Sequence, residues 1–467
     1  VTNIPEFVAG SFRDPNGRVF EHQGRIYRTI SKSAVDDFNA VVESGLYDEL
    51  IRDGLLVGWS KANKNDFDLE DDIAVVIEQE KLPFVSYPYE WSFGALKAAA
   101  LCHLDVQLRA LQLNVVLSDA TAYNVMFVGS RPIFIDYLSF RPYRDGEFWL
   151  AHQQFCEQFL NPLLMSARLG VNPNAWYRGN LEGVASQDLA ILLGFRGWLN
   201  GTTLINTMLP SFFERRAKTK NSNAETVEMV QSRKLAKSAY QGMIKRLHAG
   251  ISKLSVTTDT TVWQDYANNT SYSSEETISK EVIVARFTNT IKPAILWDIG
   301  CNTGRYSKLA LENGAANVIG LEFDTGALET AYAMSKREQL AFTPLLMNAV
   351  NPSPALGWNE CERHSLKDRA NAEAIIALAV IHHICIGRNI PLSDAVNWFV
   401  DLAPSGLIEF VPKEDPMVQE LLSLREDIFP DYTYDAFCTT LLKKATIKES
   451  ETVNAHGRRL VWFSRFN

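Results

Sequence analysis

The second half of the chain alternates short apolar runs with longer stretches in which apolar residues recur every three or four positions. A short apolar run is typical of a strand buried on both faces, whereas a spacing of three and four is typical of an amphipathic helix. Strands that alternate with helices predict an α/β fold with a doubly wound sheet. The predicted strands of this half are 295–299, 318–321, 343–347, 373–381, 406–412, 445–450 and 459–464.

The first half has a different pattern and is predicted to be a separate α+β domain. Residues 10–90 read as short strands and turns with one or two helices, with Gln23-Gly24 as a hairpin turn between two strands. A strong amphipathic helix is predicted over 94–113, and residues 152–254 are mainly helical. A stretch rich in Thr, Ser and Asn, 252–274, indicates the domain joint. The predicted domains are therefore 1–255 and 256–467.

The first strand of the second half runs into a glycine-containing turn that is suited to a nucleotide. Residues 295–304 read Ile-Leu-Trp-Asp-Ile-Gly-Cys-Asn-Thr-Gly, and a helix follows. Glycine lets the backbone turn sharply and lets a ligand come close. Glu322 ends the next strand about 20 residues further on, where a carboxylate can bind ribose hydroxyls. Asn302 occupies the middle glycine position of the dinucleotide fingerprint, so the pattern disfavours NAD.

This order of acid, glycine turn and second acid resembles motif I of the class I S-adenosylmethionine (SAM)-dependent methyltransferases. The resemblance covers residues 260–467 and implies a Rossmann-like sheet of seven strands, closed by a reversed strand pair, with SAM as the cofactor. It implies that Asp298 lies near the methionine moiety, that Glu322 holds the ribose and that Asn348 reads the adenine amino group. The other turn and strand-end residues that it places on the cofactor are Gly300, Cys301, Asn302, Gly304 and Phe323.

The segment before the first strand of this domain offers two further cofactor contacts. Tyr272 and Lys280 lie where the resemblance implies that a ring and a cation touch the methionine carboxylate of SAM. Packing of Tyr272 and solvent exposure of Lys280 are the alternative.

The candidate catalytic residues follow the fourth predicted strand of this half. His382 and His383 are predicted at the carboxyl end of strand 373–381, and ligands of open α/β sheets bind outside these ends. Neighbouring strand residues face opposite ways, so one imidazole is expected to act as general base or substrate contact, unless both are structural. Glu409 is a further candidate, for acceptor contact or for solvent exposure. Trp358 is predicted to approach the substrate on a proline-containing loop.

Two phrases, 378–384 and 408–413, are also similar to a bacterial subgroup that includes nodulation-type methyltransferases with the same long N-terminal extension. The resemblance implies an enzyme that transfers a methyl group from SAM to a small-molecule acceptor, with the first half shaping the acceptor site. Methyl transfer is an in-line displacement, so positioning supplies much of the catalysis. Transfer of the aminocarboxypropyl group of SAM, SAM sensing without turnover, and the identity of the acceptor atom all stay open.

The first half contains a second constellation, in which Asp119 is followed by Asn124 and then by a strand that ends in Asp136. It resembles the catalytic loop and metal-binding strand of protein-kinase-like phosphotransferases, and implies a kinase-like lobe that binds Mg-ATP. In that family the first Asp orients the hydroxyl nucleophile, and the Asn and later Asp hold magnesium on the phosphates. No glycine-rich phosphate loop is found near residues 15–30. A turn capped by Asp119 and Asn124, or a lobe that grips the acceptor, are the alternatives.

Composition and charge narrow the class of protein. The 467 residues are 46% hydrophobic and 22% charged, as in ordinary globular proteins, and the net charge of −9 argues against a general binder of nucleic acid or anionic membranes. The sequence contains no run of about 18 apolar residues, so no transmembrane helix is predicted, and the first residues lack a signal-peptide pattern. The six cysteines include no Cys-x-x-Cys pair, so we expect no metal site and a cytoplasmic location. The oligomeric state is left open.

Overall fold

The structure is a computed structural model that describes residues 5–199, 201–208, 234–256, 274–423 and 425–466. Its strands are β1 (Glu6–Phe7), β2 (Val19–His22), β3 (Arg25–Ser31), β4 (Trp59–Ala62), β5 (Ile73–Gln79), β6 (Val115–Leu117), β7 (Val125–Val128), β8 (Arg131–Phe134), β9 (Phe140–Pro142), β10 (Ile295–Ile299), β11 (Asn317–Glu322), β12 (Phe342–Leu346), β13 (Ala374–Ala377), β14 (Ser405–Phe410), β15 (Ala445–Thr452) and β16 (Arg459–Arg465).

Among the described residues, no helix is both long enough and apolar enough to cross a membrane. The α-helices alternate with these strands or follow them. They are α1 (Val35–Glu43), α2 (Leu46–Arg52), α3 (Phe93–Gln112), α4 (His152–Phe155), α5 (Asn161–Leu169), α6 (Asn174–Gly179), α7 (Ser186–Leu193), α8 (Gly201–Thr203), α9 (Lys237–Ser252), α10 (Ser274–Ile291), α11 (Arg305–Glu312), α12 (Thr325–Glu338), α13 (Ile381–Arg388), α14 (Leu392–Leu402), α15 (Pro416–Leu422) and α16 (Tyr434–Leu441).

The first half contains an antiparallel sheet. Across the described residues its five strands lie in the order β1-β2-β3-β5-β4. β2 and β3 form a hairpin in which His22 faces Arg25. Gln23 and Gly24 connect these strands with φ angles of 52° and 77°, and a two-residue type I′ turn requires positive φ at both positions. The hairpin predicted at Gln23-Gly24 is therefore confirmed.

The predicted amphipathic helix of the first half is α3. It begins after Ser92, whose hydroxyl accepts a hydrogen bond from the backbone N–H of Ala95 at 3.2 Å. This bond satisfies one of the N–H groups that the start of a helix leaves unpaired. The helix is buried along most of its length and packs against α9, β6 and β8. It therefore lies at the centre of the core of the first half.

The second half contains the α/β sheet that the alternation of elements predicts. In the described part of the chain this sheet has seven strands, in the order β12-β11-β10-β13-β14-β16-β15. β12, β11, β10, β13 and β14 run parallel, and β16 is antiparallel to both of its neighbours. The strand order reverses between β10 and β13, and ligands of open α/β sheets bind outside the carboxyl ends at such a switch point. The candidate site lies at this end of the sheet.

The two halves of the chain are packed together and contribute to one continuous hydrophobic core. The ring of Phe84, from the first half, lies edge-on to the indole of Trp297 in β10, with ring centroids 5.6 Å apart. The guanidinium of Arg369 pairs with the carboxylate of Glu90, and both side chains are at most 4% exposed. The first half is therefore fixed against the sheet of the second half. The domain boundary between residues 255 and 256 stays a prediction.

Candidate active site at the carboxyl ends of the second sheet

The turn after β10 contains the two glycines in the backbone conformation that the sequence predicts. Gly300 and Gly304 have φ angles of 75° and 87°, in the left-handed region that favours glycine. A Cβ atom on Gly300 would lie 2.4 Å from Cγ2 of Val380, and one on Gly304 would lie 2.6 Å from Cε1 of Phe342. The close packing of the turn onto its own protein therefore requires both glycines.

Asp298 is buried beneath this turn, at 2% exposure. Its carboxylate accepts a hydrogen bond of 2.6 Å from the hydroxyl of Ser307, in α11. Burial raises the pKa of Asp298 to about 7, and the bond from Ser307 opposes that shift. Near neutral pH this carboxyl can therefore either accept or donate a proton. The sequence analysis missed Ser307, because a serine inside a predicted helix belongs to no motif.

Cys301 faces the hydrophobic core. Its side chain is 5% exposed, and burial raises the pKa of its thiol well above the ordinary value. A Cβ atom on Gly320 in β11 would lie 2.7 Å from the sulfur of Cys301, so the thiol packs closely on the neighbouring strand. The thiol is therefore part of the packing of the sheet. The predicted contact between Cys301 and the cofactor would have to come from its backbone.

Glu322 connects the end of β11 to the glycine turn. One carboxylate oxygen accepts the backbone N–H of Asn302, and the other accepts those of Phe323 and Asp324, all at 2.8 Å. Burial raises the pKa of Glu322, and the three hydrogen bonds oppose that shift. A carboxylate has about four acceptor positions, which leaves capacity for about one further donor. A ribose hydroxyl is such a donor.

An open cavity of about 200 Å³ lies between the ends of β11 and β12 and the first half, and among the described residues neither Glu322 nor the glycine turn lines it. Phe323 lines it with half of its side chain exposed, which is uncommon for a phenylalanine. Asn348 also lines it, and its side-chain carbonyl accepts the N–H of Val350 at 3.1 Å. A carbonyl oxygen has a second lone pair, so Asn348 can still accept from a ligand. Tyr89 and Arg178 contribute to the opposite wall.

A network of buried charges lies at the ends of β14 and β16. The ammonium of Lys280 donates to Glu409 at 2.6 Å, and Nη1 of Arg458 lies 3.7 Å from the other oxygen of Glu409. Arg458 also forms two hydrogen bonds with Asp415, at 2.6 and 2.7 Å. These four side chains are at most 3% exposed. Buried charges are stable only when paired, so each holds its neighbour in position.

This network excludes two alternatives that the sequence left open. The sequence allows Lys280 and Glu409 each to lie either in the site or in solvent. The structure excludes solvent exposure, because both side chains are buried. The sequence analysis missed Arg458 and Asp415. The two residues are 43 positions apart, and no local pattern indicates that they pair.

His382 and His383 lie in a helix, which corrects the sequence prediction of a strand over 373–381. β13 ends at Ala377, Ala379 has a φ of 54°, and α13 begins at Ile381. The alternation of strand side chains therefore does not decide which histidine faces the site. The two rings lie side by side instead, with centroids 4.0 Å apart.

The two histidines are uncharged near neutral pH. His382 is fully buried, and neither of its ring nitrogens has a hydrogen-bond partner among the described residues. Burial lowers the pKa of His382 well below the ordinary value, and it lowers the pKa of His383 to about 4. The positive charge of Arg458 lowers both values further. A neutral imidazole can accept a proton, but the lowered pKa makes either histidine a weaker base than an ordinary one, so burial does not favour the predicted general base.

Two residues that the sequence predicts in the site, Trp358 and Tyr272, are not found in the cavity wall formed by the described residues. Trp358 is 71% exposed, in a turn over Trp358–Glu360, and it is not part of the cavity wall formed by the described residues. Tyr272 lies outside the described residues. The contacts of Tyr272 with the cofactor and of Trp358 with the substrate stay predictions.

The second predicted constellation is assembled at one place in the first half. The amide of Asn124 donates to Asp119 at 3.2 Å and to Ser139 at 2.9 Å, and the hydroxyl of Ser139 donates to Asp136 at 2.6 Å. The guanidinium of Arg28, from β3, also contacts Asp136. Burial and the charge of Asp136 raise the pKa of Asp119 to about 6. Within the described residues no group of three or more His, Cys, Asp or Glu is arranged to hold a metal ion.

The strand order, the glycine turn and the acid that ends β11 define a Rossmann-like α/β domain, with a sheet of seven strands in the described part of the chain. The whole chain is 44% identical over 465 residues to the nodulation protein NoeA of Rhizobium meliloti (strain 1021), which covers 99% of this chain and 96% of that relative. The chain therefore belongs to the NoeA family. No protein-family model matches it.

Solved structures similar to part of the chain include two methyltransferases with bound S-adenosylhomocysteine. The N-methyltransferase NodS from Bradyrhizobium japonicum WM9 is 11% identical, covers 41% of this chain and 88% of its own, and has a TM-score of 0.30. The magnesium protoporphyrin IX methyltransferase ChlM from Synechocystis PCC 6803 is 14% identical, covers 44% and 93%, and also has a TM-score of 0.30. Similarities at this level carry no argument about function.

Proposed function

We propose that this protein is a SAM-dependent methyltransferase that acts on a small-molecule acceptor. The main support is Glu322, whose carboxylate is bonded to the glycine turn at Asn302 and whose neighbour Phe323 lines, together with Asn348, the cavity at the ends of β11 and β12. These residues lie at or just after the ends of two neighbouring strands. Together they offer a carboxylate, a half-exposed aromatic ring and an amide, which suit the ribose and adenine of a nucleoside. The name of the relative states a role in nodulation, and the proposal includes a nodulation-related role for this chain.

In this proposal the residues of the chain bind and orient the two reactants. When bound, SAM supplies a methyl group activated by its sulfonium. Glu322 accepts from the ribose, and Asp298 and the turn from Gly300 to Gly304 surround the methionine part of the cofactor. The neutral imidazole of His383, which is less buried than that of His382, takes the proton of the acceptor, and the buried pair of Lys280 and Glu409 lies at the same end of the sheet. Alignment of the reactants supplies on the order of 7–11 kcal/mol over free encounter.

Calorimetric titration of the full-length protein with S-adenosylhomocysteine tests the cofactor site. We expect wild-type protein to bind, and Glu322→Ala to bind at least tenfold more weakly, because the variant loses the acceptor for the ribose hydroxyl. Glu322→Gln keeps the shape of the side chain and is expected to fall between the two. A circular-dichroism melt of each variant checks that it is folded, since Glu322 also bonds three backbone N–H groups.

Glu312→Ala is the matched control for this titration. Glu312 is an exposed acid at the end of α11, and its side chain is 56% exposed. Its removal changes the net charge by the same amount as Glu322→Ala and should leave the affinity within about twofold. Wild-type protein that binds no S-adenosylhomocysteine would disprove the cofactor assignment. Incubation with isotopically labelled SAM and metabolite extract, read by mass, then distinguishes methyl transfer from aminocarboxypropyl transfer.

A second candidate function is phosphotransfer in the first half. The observation that favours it is the convergence of Asp119, Asn124 and Asp136 with the basic side chain of Arg28. Both oxygens of Asp136 already bond to groups of the protein, namely Arg28, the N–H of Leu138 and the hydroxyl of Ser139. These three contacts leave about one acceptor position on Asp136, and the positive charge of Arg28 opposes the binding of a magnesium ion there.

Nucleotide binding distinguishes this candidate from a purely structural cluster. If the first half binds Mg-ATP, titration with ATP should give heat only when magnesium is present, and Asp136→Ala should abolish it. The binding of S-adenosylhomocysteine should be unchanged in the same variant. Magnesium-independent binding of ATP, or no binding by wild-type protein, would leave the cluster with a structural role only.

A further inference from the structure

The turn that follows β12 begins beside Glu322. Leu346, the last residue of β12, is opposite Glu322 in the parallel register, and the backbone N–H of Met347 donates to the backbone carbonyl of Glu322 at 2.8 Å. Asn348 is the next residue. The sheet therefore fixes the chain as far as Met347, and the position of Asn348 depends on the turn that it begins.

Few bonds within this turn hold it closed. The backbone N–H of Asn351 donates to the backbone carbonyl of Asn348 at 2.9 Å, and the N–H of Val350 donates to the side-chain carbonyl of Asn348 at 3.1 Å. Asn348 and Asn351 are both exposed. An exposed turn with few bonds opens at a low cost in free energy. A contact from outside the turn therefore has a large influence on where Asn348 lies.

Arg178 of the first half provides such a contact. Its guanidinium donates to the backbone carbonyl of Asn351 at 3.1 Å and to that of Pro352 at 2.8 Å, and it also donates to the side-chain oxygen of Asn351 at 3.2 Å. A guanidinium presents five N–H donors in a planar arrangement, so it can hold several acceptors in one geometry. Arg178 thus connects the far end of the turn to the first half.

The helix that carries Arg178 is itself fixed. Within α6, the amide of Asn174 donates to the backbone carbonyls of Tyr89 and Trp91, both at 2.9 Å, and the side chain of Tyr177 is 1% exposed. A residue on an anchored helix is a more precise support than one on a loop. The turn after β12 is therefore held by a rigid part of the first half.

Other polar contacts between the first half and the same loop lie further along the chain. Arg13 pairs with Glu362 at 2.6 Å, and Glu90 pairs with Arg369 at 2.5 Å. Among the described residues, the hydrogen bonds from the first half to positions 348–352 are those of Arg178. Arg178 and Arg13 therefore support two different parts of one loop.

We propose that Arg178 is a positioning residue of the cofactor site. It holds the turn after β12 so that the side-chain carbonyl of Asn348 accepts a hydrogen bond from the exocyclic amino group of the bound base. The proposal rests on the proposed function, because it assumes that an adenine nucleoside binds at Glu322 and Asn348. The bond from Val350 determines which end of the Asn348 amide is the carbonyl, and this oxygen has a second lone pair for the ligand. The first half thereby contributes to selectivity for adenine without touching the base.

Two ligands distinguish positioning from a general loss of structure. The full-length protein is titrated calorimetrically with S-adenosylhomocysteine and with its 6-deamino analogue, in which hydrogen replaces the amino group of the base. We expect wild-type protein to bind the analogue about three- to tenfold more weakly, as for the loss of one neutral hydrogen bond. Arg178→Ala should bind S-adenosylhomocysteine about three- to tenfold more weakly than wild type, and the analogue within about twofold of wild type. The variant should therefore lose the preference for the amino group.

Arg13→Ala is the matched control, because Arg13 is also a first-half arginine that binds this loop. It removes the same charge and should leave both affinities within about twofold of wild type. A circular-dichroism melt checks that each variant is folded. A loss by the same factor for both ligands in Arg178→Ala, an equal effect of Arg13→Ala, or equal binding of the two ligands by wild-type protein would overturn the positioning role. Each of these results leaves the methyltransferase proposal intact, whereas failure of wild-type protein to bind S-adenosylhomocysteine would overturn both.

The variant Asn348→Ala tests whether Arg178 acts through Asn348. If it does, the double variant with Arg178→Ala should bind S-adenosylhomocysteine no more weakly than Asn348→Ala alone, because the group that Arg178 positions is already absent. Losses that add in the double variant would mean that Arg178 acts independently of Asn348, and the proposal would fail.

Discussion

Arg369→Ala is expected to lower the free energy of unfolding by about 3–5 kcal/mol, because it leaves the carboxylate of Glu90 buried without its charge partner. Both side chains are at most 4% exposed. Arg369 also donates to the backbone carbonyl of Val85 at 2.6 Å, and its guanidinium lies 4.4 Å from the ring centroid of Tyr87. Denaturation by urea at neutral pH, followed by circular dichroism, measures the loss.

The chain offers a control for this prediction and a rescue. Arg13 and Glu362 also connect the two halves, at 2.6 Å, but the side chain of Arg13 is 61% exposed. The side chain of Glu362 is 3% exposed, but Arg363 lies 3.6 Å from it and stays in Arg13→Ala, so this variant should lose less than Arg369→Ala. The double variant Glu90→Gln with Arg369→Met should lose less than Arg369→Ala, since no buried charge remains. A loss below about 1 kcal/mol in Arg369→Ala would contradict the prediction.

Local patterns predicted the glycine turn and the strand that follows it. Gly300, Gly304 and Glu322 are close in sequence. Each lies in a turn or strand whose conformation is determined by the residues next to it in the chain. The predicted strand 295–299 has the same bounds in the structure, and Glu322 is the last residue of β11 as expected. The roles of these residues toward the cofactor stay predictions.

The apolar run before His382 shows where hydrophobic pattern alone is insufficient. Residues 373–381 are almost entirely apolar, and a buried strand and the start of a buried helix both satisfy that pattern. The structure ends the strand at Ala377 and starts α13 at Ile381. Ala379, with a positive φ, lies between them, and alanine rarely adopts that conformation. No local signal in the sequence predicted the break.

The contacts that complete the site are distant in sequence, and for that reason the sequence analysis missed them. Arg458 meets Glu409 and Asp415 only because β14 and β16 are neighbours in the sheet. Arg178 reaches the turn that begins at Asn348 only because the first half packs against the second. The grouping of residues close in sequence, such as Asp119, Asn124 and Asp136, was therefore predictable, and the grouping of residues far apart in sequence was not.

His103 is predicted to make the protein sensitive to acid. Its ring is fully buried in α3 between Phe134, Phe155 and Phe159, with centroid distances of 5.6 to 5.9 Å. Neither ring nitrogen has a partner among the described residues. Burial lowers the pKa of His103 to about 3, whereas an unfolded histidine has a pKa of about 6.5.

The sign of the pH dependence follows from these two pKa values. Above about pH 6.5 His103 is neutral in both states and contributes no pH dependence. Between about pH 6.5 and pH 3 only the unfolded state binds the proton, so the free energy of unfolding falls by about 1.4 kcal/mol per pH unit. At pH 5 the loss from His103 is therefore about 2 kcal/mol.

His103→Leu should remove this loss. At pH 7.5 the variant is expected to be about as stable as wild-type protein or more stable, because an apolar side chain takes the place of a ring with two unpartnered nitrogens. At pH 5 it should exceed wild type by about 2 kcal/mol more than at pH 7.5, as measured by urea denaturation at both pH values. Phe159→Leu perturbs the same cluster without removing a titratable group, so it should lower stability equally at both pH values. Equal differences between His103→Leu and wild type at pH 7.5 and pH 5 would show that burial does not depress this pKa.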